Sequence, residues 1–435
     1  MTNNLILVTG ATGYIASRLI PRLLDHGYRV RALAREPRRL KGRSWSRHVE
    51  LVQGDVMIPS TLVPALKGVH TAYYLIHNMT AGCGYTDREL GGARNFATAA
   101  ADADVEHIIY LGGLADPEQH IAPHMRSRIE TGAVLMQGSV PVTEFRAGVI
   151  AGSGSISFEM IRFMTELFPI VPGPAWMNNK SQPIAIQNVI DYLFAALTNP
   201  NGRGQIFEIG GPEITFYKDL MLRYARIRGL KRSMFLLHNI PLWFMASGVA
   251  LMTPVPRPIA YALIEGLSAD SIVKHDEALR VFPEVKLIGF DEATRDALDH
   301  LSPAHIERVW DDGHHNGKLI KHEGFFIDHR EVKVSTSPEN VFQTIMRLIQ
   351  PSWRIEKQKS NEQIIVCVEN QIAGEKWMEW RVSHAESVTY LSQTIFFAPR
   401  GLVGFLYWYL LYPFHSMSFR SFINSIAHKS LSNIT

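Results

Sequence analysis

The sequence predicts an α/β fold: a doubly wound parallel sheet with inserted substrate-side elements, followed by a smaller α+β domain. Three observations carry this. Through the first half, short apolar runs alternate with amphipathic segments, the pattern of strands feeding crossover helices. The first apolar run, Leu5-Ile6-Leu7-Val8, enters a glycine turn, Thr9-Gly10-Ala11-Thr12-Gly13. The last quarter of the chain reads differently, as strand, helix, strand meander and long closing helix. The 435 residues are enough for two or three domains, and 46% hydrophobic with 20% charged content fits an ordered globular protein.

The glycine turn comes first. Tyr14, Ile15 and Ala16 open an amphipathic segment with Leu19, Ile20, Leu23 and Leu24 at helical spacing. Strand, tight turn and helix bring backbone N–H groups to a helix N-terminus, where the macrodipole favours an anion. Gly10 allows the sharp turn, Gly13 allows a pyrophosphate to approach, and Ala16 is small enough for the helix to lie on the strand. Thr12, Tyr14 and Ile15 belong to the same dinucleotide site.

Tyr28 to Ala34 is the second strand and ends at Arg35, with Arg38 and Arg39 behind it. An acid here would bind a ribose 2′-hydroxyl, whereas a basic residue accommodates a 2′-phosphate. Arg35 therefore points to NADP(H) in preference to NAD(H). Val49 to Val52 is a third strand, followed by Gly54-Asp55-Val56, where Asp55 can bind the adenine amino group or cap the next helix and Val56 can pack the ring. Thr71 to Ile76 is a fourth strand. It brings Leu75, Ile76 and His77 to the same edge. Asp87 to Asp104 has small residues at helical spacing. Glu106 to Leu111 is a fifth strand, ending in Gly112-Gly113. Ligands of such sheets bind at the carboxyl ends of the strands.

Together with Phe145-Arg146-Ala147-Gly148-Val149-Ile150-Ala151-Gly152, Pro183 to Val189 and Phe207 to Pro212, these motifs resemble the extended and atypical branches of the short-chain dehydrogenase/reductase superfamily, with its Rossmann-type sheet. The pattern is similar to NmrA-like NADP-binding proteins and to a complex I accessory subunit. The end of the chain, through Pro399-Arg400-Gly401-Leu402, Tyr407-Trp408 and Pro413-Phe414-His415, resembles a bacterial group whose final domain has no assigned function. The superfamily's chemistry uses a serine, a tyrosine and a lysine. The resemblance puts His124 at the tyrosine position, Arg128 at the lysine position and Gly112 or Gly113 at the serine position. His124 and Arg128 are thus the candidate catalytic residues, and Arg128 is also a candidate ribose ligand. Imidazole can exchange a proton near neutral pH, but guanidinium cannot.

Val140 to Phe145 is a sixth strand, and Gln205 to Ile209 a late one. Residues 147–182 and 212–275 hold the substrate-side elements of a first domain spanning 1–300. Within them Ser155 to Phe168 reads as helix, Pro169 to Gln182 as loop, and Thr215 as the cap of a helix over Phe216 to Arg228. Met234 to Ala269 is core or the wall of an apolar pocket. Residues 301–324 read as a histidine-bearing linker without metal-ligand spacing, so no metal is expected. Residues 325–435 form the second domain. Its pattern resembles a shortened helix-grip domain of the START and Bet v 1 kind, abbreviated between its first helix and the meander.

Composition narrows the partners. A formal charge of +3, without a basic tract interleaved with aromatics beyond Arg35 to Arg47, gives no reason to expect nucleic acid. Cys83 and Cys367 have no ligand spacing, and the opening residues lack a signal-peptide pattern, which points to the cytoplasm. Phe235 to Ile264 and Ile395 to Phe414 are apolar but interrupted by proline and arginine, so neither is expected to span a bilayer. The aromatic second stretch is compatible with peripheral contact at the inner face of a membrane. Two functions follow: an NADPH-dependent oxidoreductase acting on an apolar carbonyl or quinone-type small molecule, or a non-catalytic NADP(H)-binding sensor or accessory protein.

Overall fold

The computed structural model describes residues 4–432 apart from 41–42, 78–84, 117, 120, 239, 253–256, 300–302, 304–318, 323–324, 371–372 and 386–387. Cys83, His300, His305, His314 and His315, and most of the expected linker, lie outside the described residues. The chain divides into two compact units, Met1–Met164 with Ile170–Leu298, and Thr165–Pro169 with Asp299–Thr435.

The first unit begins with β1 (Leu5–Val8), α1 (Tyr14–Asp25), β2 (Arg29–Ala34), β3 (Glu50–Gln53), α2 (Leu62–Leu66), β4 (Val69–Tyr74), α3 (Tyr85–Asp102), β5 (His107–Gly113), α4 (Pro123–Met136) and β6 (Val142–Ala147). After β7 (Ile150–Ala151), α5 (Ile156–Leu167), β8 (Ile170–Pro174), β9 (Lys180–Ser181), β10 (Ile184–Ala185) and α6 (Ile186–Ala195), β11 (Ile206–Ile209) completes the main sheet. Seven parallel strands run in the order β11-β6-β5-β4-β1-β2-β3. The doubly wound reading holds. The order reverses at β1, between β2 and β4, and this switch point is where such sheets leave a crevice for ligands.

Each face of the sheet has its own core. Leu19, Ile20 and Leu23 of α1 pack with Val189 and Leu193 of α6 on one side. Phe96, Ala97 and Ala100 of α3 pack with Leu135 of α4 on the other. Alanines at these helix positions let α3 and α4 approach the sheet closely, which brings side chains of both helices to the crevice edge.

The remaining elements are β12 (Thr215–Phe216), α7 (Tyr217–Ile227), β13 (Ser233–Leu237), α8 (Leu242–Met252), α9 (Arg257–Gly266), α10 (Glu277–Val281) and α11 (Phe290–Asp299). Two expectations need correction. Residues 169–182 are not simply a loop, because β8 pairs in parallel with β13. Both strands of a two-stranded sheet are edges, so Pro172 and Pro174 are tolerated. Thr215 does not cap α7. It lies in β12, and Phe216 occupies the cap position without a side-chain hydrogen bond.

The second unit holds β14 (Leu319–His322), β15 (Phe325–Val334), α12 (Pro338–Leu348), β16 (Arg354–Lys359), β17 (Gln363–Asn370), β18 (Gly374–Ala385), β19 (Val388–Pro399) and α13 (Gly401–Ser432). Its six strands form an antiparallel sheet ordered β14-β15-β19-β18-β17-β16. Ser337 caps α12, with Pro338 in its first turn. Between α12 and the meander lies β16, a strand that the sequence pattern does not mark. Its six residues are all exposed, so no apolar alternation marks it.

Helix α13 packs on β15 and β19. Trp408 stacks on Phe326 at 5.6 Å and on Phe397 at 5.0 Å between ring centroids. Beside them Arg330 pairs with Asp328 at 2.7 Å, and the Tyr412 hydroxyl donates to Asp328 at 2.9 Å. The outer side of α13 leaves Leu406, Leu410, Phe414 and Met417 exposed. Among the described residues, no helix is long and apolar enough to cross a membrane.

Candidate active site

The glycine turn sits where β1 meets α1. Gly10 has φ +62°, and a Cβ there would lie 2.6 Å from the Leu75 carbonyl oxygen at the end of β4. Only glycine combines that backbone conformation with that approach. The Thr9 hydroxyl accepts the Leu75 N–H at 3.0 Å, locking the two strand ends together. Gly13 occupies the cap position of α1 without a side-chain cap, and the first turn carries no acid. The N–H groups of that turn therefore stay available to an anion.

A cavity of about 380 Å³ opens from this turn. It brings together Gly10, Gly13, Tyr14, Ile15, Leu75, Ile76, His77, His124 and Arg128 of the expected set. Its far wall is apolar, with Met160, Met177 and Leu220 from the inserted elements and Leu263 from α9. Part of the apolar stretch 234–269 thus forms pocket wall, while Ala246, Val249, Ile259 and Ala260 are buried core.

Thr12, Arg35, Asp55, Val56, Gly112 and Gly113 do not line the cavity. Arg35 is exposed at the end of β2, and Arg38 is turned to Glu36 at 2.9 Å. Asp55 accepts the Met57 N–H at 2.9 Å, so its carboxylate closes a local turn instead of capping a helix. Val56 is buried against Gly92 of α3, whose Cβ would come within 2.8 Å of it. That contact, in place of an open face for a ring, is where its side chain goes.

His124 and Arg128 lie one turn apart on α4, as their spacing implies. His124 is buried, and the Gly266 backbone approaches its ring so closely that a Cβ there would lie 3.0 Å from Cε1. Burial first, then the nearby Arg128 charge, lowers its pKa to about 4, so it is neutral at pH 7. Arg128 donates to the Leu111 and Gly112 carbonyl oxygens at 3.2 and 3.0 Å. It ties the end of β5 to α4.

Three further residues escaped the sequence reading. Arg43 is buried and donates to the Thr12 carbonyl oxygen at 3.4 Å, beside the glycine turn. Glu89 of α3 bonds His77 Nδ1 at 3.0 Å, and Ser127 of α4 donates its hydroxyl to the same carboxylate. No spacing rule joins Glu89 to Ser127. Only the packing of α3 on α4 does so.

Comparison with known proteins adds the following. The model of the NmrA-like family matches residues 2–161, and that of a protein family of unknown function, DUF2867, matches residues 328–422. The chain is 30% identical over 273 residues to a (4-alkanoyl-5-oxo-2,5-dihydrofuran-3-yl)methyl phosphate reductase of Streptomyces griseus, covering 60% of this chain and 85% of that one. It is 25% identical over 234 residues to the photosystem II assembly factor Ycf39 of Cyanophora paradoxa, covering 52% and 68%. Among solved structures, Citrobacter triphenylmethane reductase complexed with NADP(H) superposes with TM-score 0.55 at 18% identity, covering 67% of this chain and 99% of that one. The NADPH-dependent quinone oxidoreductase QOR2 of Escherichia coli superposes with TM-score 0.54 at 16% identity, covering 67% and 98%.

Proposed function

This chain belongs to the NmrA-like family, and on that premise we propose that it is an NADP(H)-binding reductase of an apolar carbonyl or quinone-type substrate. The observation that carries the reading is the uncapped, glycine-built start of α1 opening onto the apolar cavity. The cradle suits a dinucleotide: glycine at position 10 lets the turn press against the Leu75 carbonyl beyond β4, and the N–H groups of the first turn suit a pyrophosphate. When bound, NADPH supplies the hydride. The protein's part is to hold it, exclude water and present a substrate oxygen to a hydrogen-bond donor.

Preference for NADPH over NADH rests on Arg35 at the end of β2 and Arg43 beside Thr12. Both guanidiniums can bond a 2′-phosphate on the adenosine side of the turn. Tyr14, Ile15, Leu75 and Ile76 would border the nicotinamide half. His124, kept neutral by burial, serves as a hydrogen-bond partner for the substrate oxygen rather than as a standing acid. Arg128 holds the strand end against which the cofactor lies.

The absence of the superfamily's serine, tyrosine and lysine supports a second reading, a non-catalytic NADP(H) sensor or accessory protein. Kinship with an assembly factor is consistent with it. The two separate in one experiment. NADPH binding is measured by fluorescence, and NADPH oxidation is followed with a panel of quinones and aldehydes. Tight binding with turnover, reduced in His124→Ala, supports the reductase. Tight binding without oxidation of any panel member leaves the sensor reading.

The exposed apolar stripe of α13 supports peripheral membrane contact. Co-sedimentation with anionic liposomes, lost in a Leu410→Ser/Phe414→Ser variant, tests that separately.

A further inference from the structure

His77 and Glu89 form a feature that neither the glycine turn nor the His124–Arg128 pair explains. His77 stands three residues beyond β4 and lines the cavity two residues after Leu75, the residue pressed against Gly10. Its Nδ1 lies 3.0 Å from a Glu89 carboxylate oxygen. The other carboxylate oxygen takes the Ser127 hydroxyl. The Glu89 side chain is only 8% exposed. With an acceptor-only carboxylate on Nδ1, that nitrogen carries the proton and Nε2 becomes the exchangeable position. His77 Nε2 is buried and has no hydrogen-bond partner among the described residues.

From this geometry we propose that His77 is the proton-transferring catalytic residue of the reduction, with Glu89 as the residue that positions it and fixes its tautomer. The proposal rests on the reductase reading above. The bound dinucleotide would supply the hydride for the new C–H bond at the substrate carbonyl carbon, its own two-electron oxidation balancing the reduction. The carbonyl π pair moves to oxygen, which takes the proton from His77 Nε2–H. The imidazolium becomes a neutral imidazole, still bonded to Glu89 through Nδ1–H, and is reprotonated from solvent. This assignment explains why a chain without the usual tyrosine keeps a carboxylate-held imidazole just beyond β4.

The charged and titratable groups facing His77 are Glu89 from α3 and Arg128 and His124 from α4. Burial, the largest effect, and Arg128 press the imidazole toward neutrality, and Glu89 opposes them only in part, so the His77 pKa lies below the ordinary value. A proton donor must be protonated to act, so turnover falls as pH rises past the His77 pKa. Replacing Glu89 by glutamine removes that opposing charge and moves the break to lower pH.

The test uses the full chain. Long-range ¹H–¹⁵N imidazole spectra of the cofactor-free protein, with His77 assigned by its loss in His77→Gln, give its tautomer and titration. The expected result is the Nδ1–H tautomer, with a pKa that drops by about one to three units in Glu89→Gln. An Nε2–H tautomer, or a titration unmoved by Glu89→Gln, overturns the proposal without any activity measurement. In turnover, His77→Gln is expected to lose about a hundredfold or more in kcat while its NADPH Kd stays near wild type. The pH break of Glu89→Gln should shift in step with the spectra. Wild-type turnover with His77→Gln undiminished sinks His77 alone. A wild type that binds NADPH yet oxidises none of the panel sinks the reductase reading and this role with it. Glu89→Gln, nearly isosteric, keeps the test alive if His77→Gln folds poorly.

Discussion

Replacing Gly10 with alanine separates the two demands its position makes. The residue sits at φ +62°, which costs an L-residue about 1–2 kcal/mol. Its new Cβ would also stand 2.6 Å from the Leu75 carbonyl oxygen, a backbone atom that cannot swing aside. The turn must move away from β4, and its N–H groups move with it. Each charge-assisted hydrogen bond to a phosphate is worth about 1.5–3 kcal/mol, so losing one weakens NADPH binding by about ten- to a hundredfold. Gly27 supplies the control, having φ +79° with nothing within 4 Å of a built Cβ. Gly27→Ala should lower stability by about the same 1–2 kcal/mol of strain and leave the NADPH Kd unchanged. Both variants are compared by denaturant unfolding and by fluorescence titration. A Gly10→Ala protein that binds NADPH within twofold of wild type would refute the claim that this turn cradles the cofactor.

The other predictions concern charge and pH. Arg43→Ala and Arg35→Ala should each weaken NADPH binding by about tenfold or more while sparing NADH, and equal loss for both cofactors would remove the 2′-phosphate from the account. His107 is buried on β5. Thr143 gives its hydroxyl proton to the Gly202 carbonyl, so His107 must donate Nε2–H to Thr143, leaving Nδ1 buried without a partner among the described residues. Burial first, helped by Arg203, lowers its pKa to about 4. Between the ordinary value near 6.5 and that value, the unfolded chain holds a proton that the folded one refuses. Stability therefore falls as pH drops through that window, by about 3 kcal/mol from this histidine alone. Denaturant unfolding from pH 7 to 4 measures it, and a His107→Gln variant with the same slope would disprove the assignment.

The main sheet could be read from the chain because each of its strands is followed by local signals: an apolar run, then a turn, then helical spacing. The glycine turn depended on nothing farther away than one βα unit, whereas His124 and Arg128 were singled out by the superfamily resemblance. What escaped depends on distant pairing. Strand β8 holds two prolines and finds its partner β13 some sixty residues later, so its own residues resemble a loop. Glu89 reads as an ordinary acid on a helix with small residues. Its value comes from α4 lying beside α3, and from Ser127, which no periodicity singles out. Arg43 sits in a basic run like any solvated face, yet it is buried at Thr12. Val56 shows the reverse case, since a residue type that suits an adenine face is used instead to pack Gly92.

The missing serine at the end of β5 can be argued from the same contacts. A Cβ on Gly112 would lie 2.8 Å from Glu144 Oε1, and a Cβ on Gly113 would lie 2.7 Å from Met125 Cε. The two intrusions differ in what must yield. Glu144 is fully buried and held by Arg146 at 2.7 Å, so its carboxylate has nowhere to go. Met125 Cε is the end of a flexible side chain beside the cavity and can turn away. Gly112→Ser should therefore cost about 1–3 kcal/mol of stability, the ordinary cost of overpacking, while Gly113→Ser costs much less. Equal losses in denaturant unfolding would show that Glu144 gives way as easily as methionine. If only Gly113 accepts a hydroxyl, that residue is the one position on β5 where the superfamily's serine fits this chain. Adding it should still not restore the usual chemistry, because Arg128 remains bonded to Leu111 and Gly112 and cannot relay a proton. On the reading developed for His77, turnover in Gly113→Ser should stay dependent on His77, and a rate that survives His77→Gln in that background would count against it.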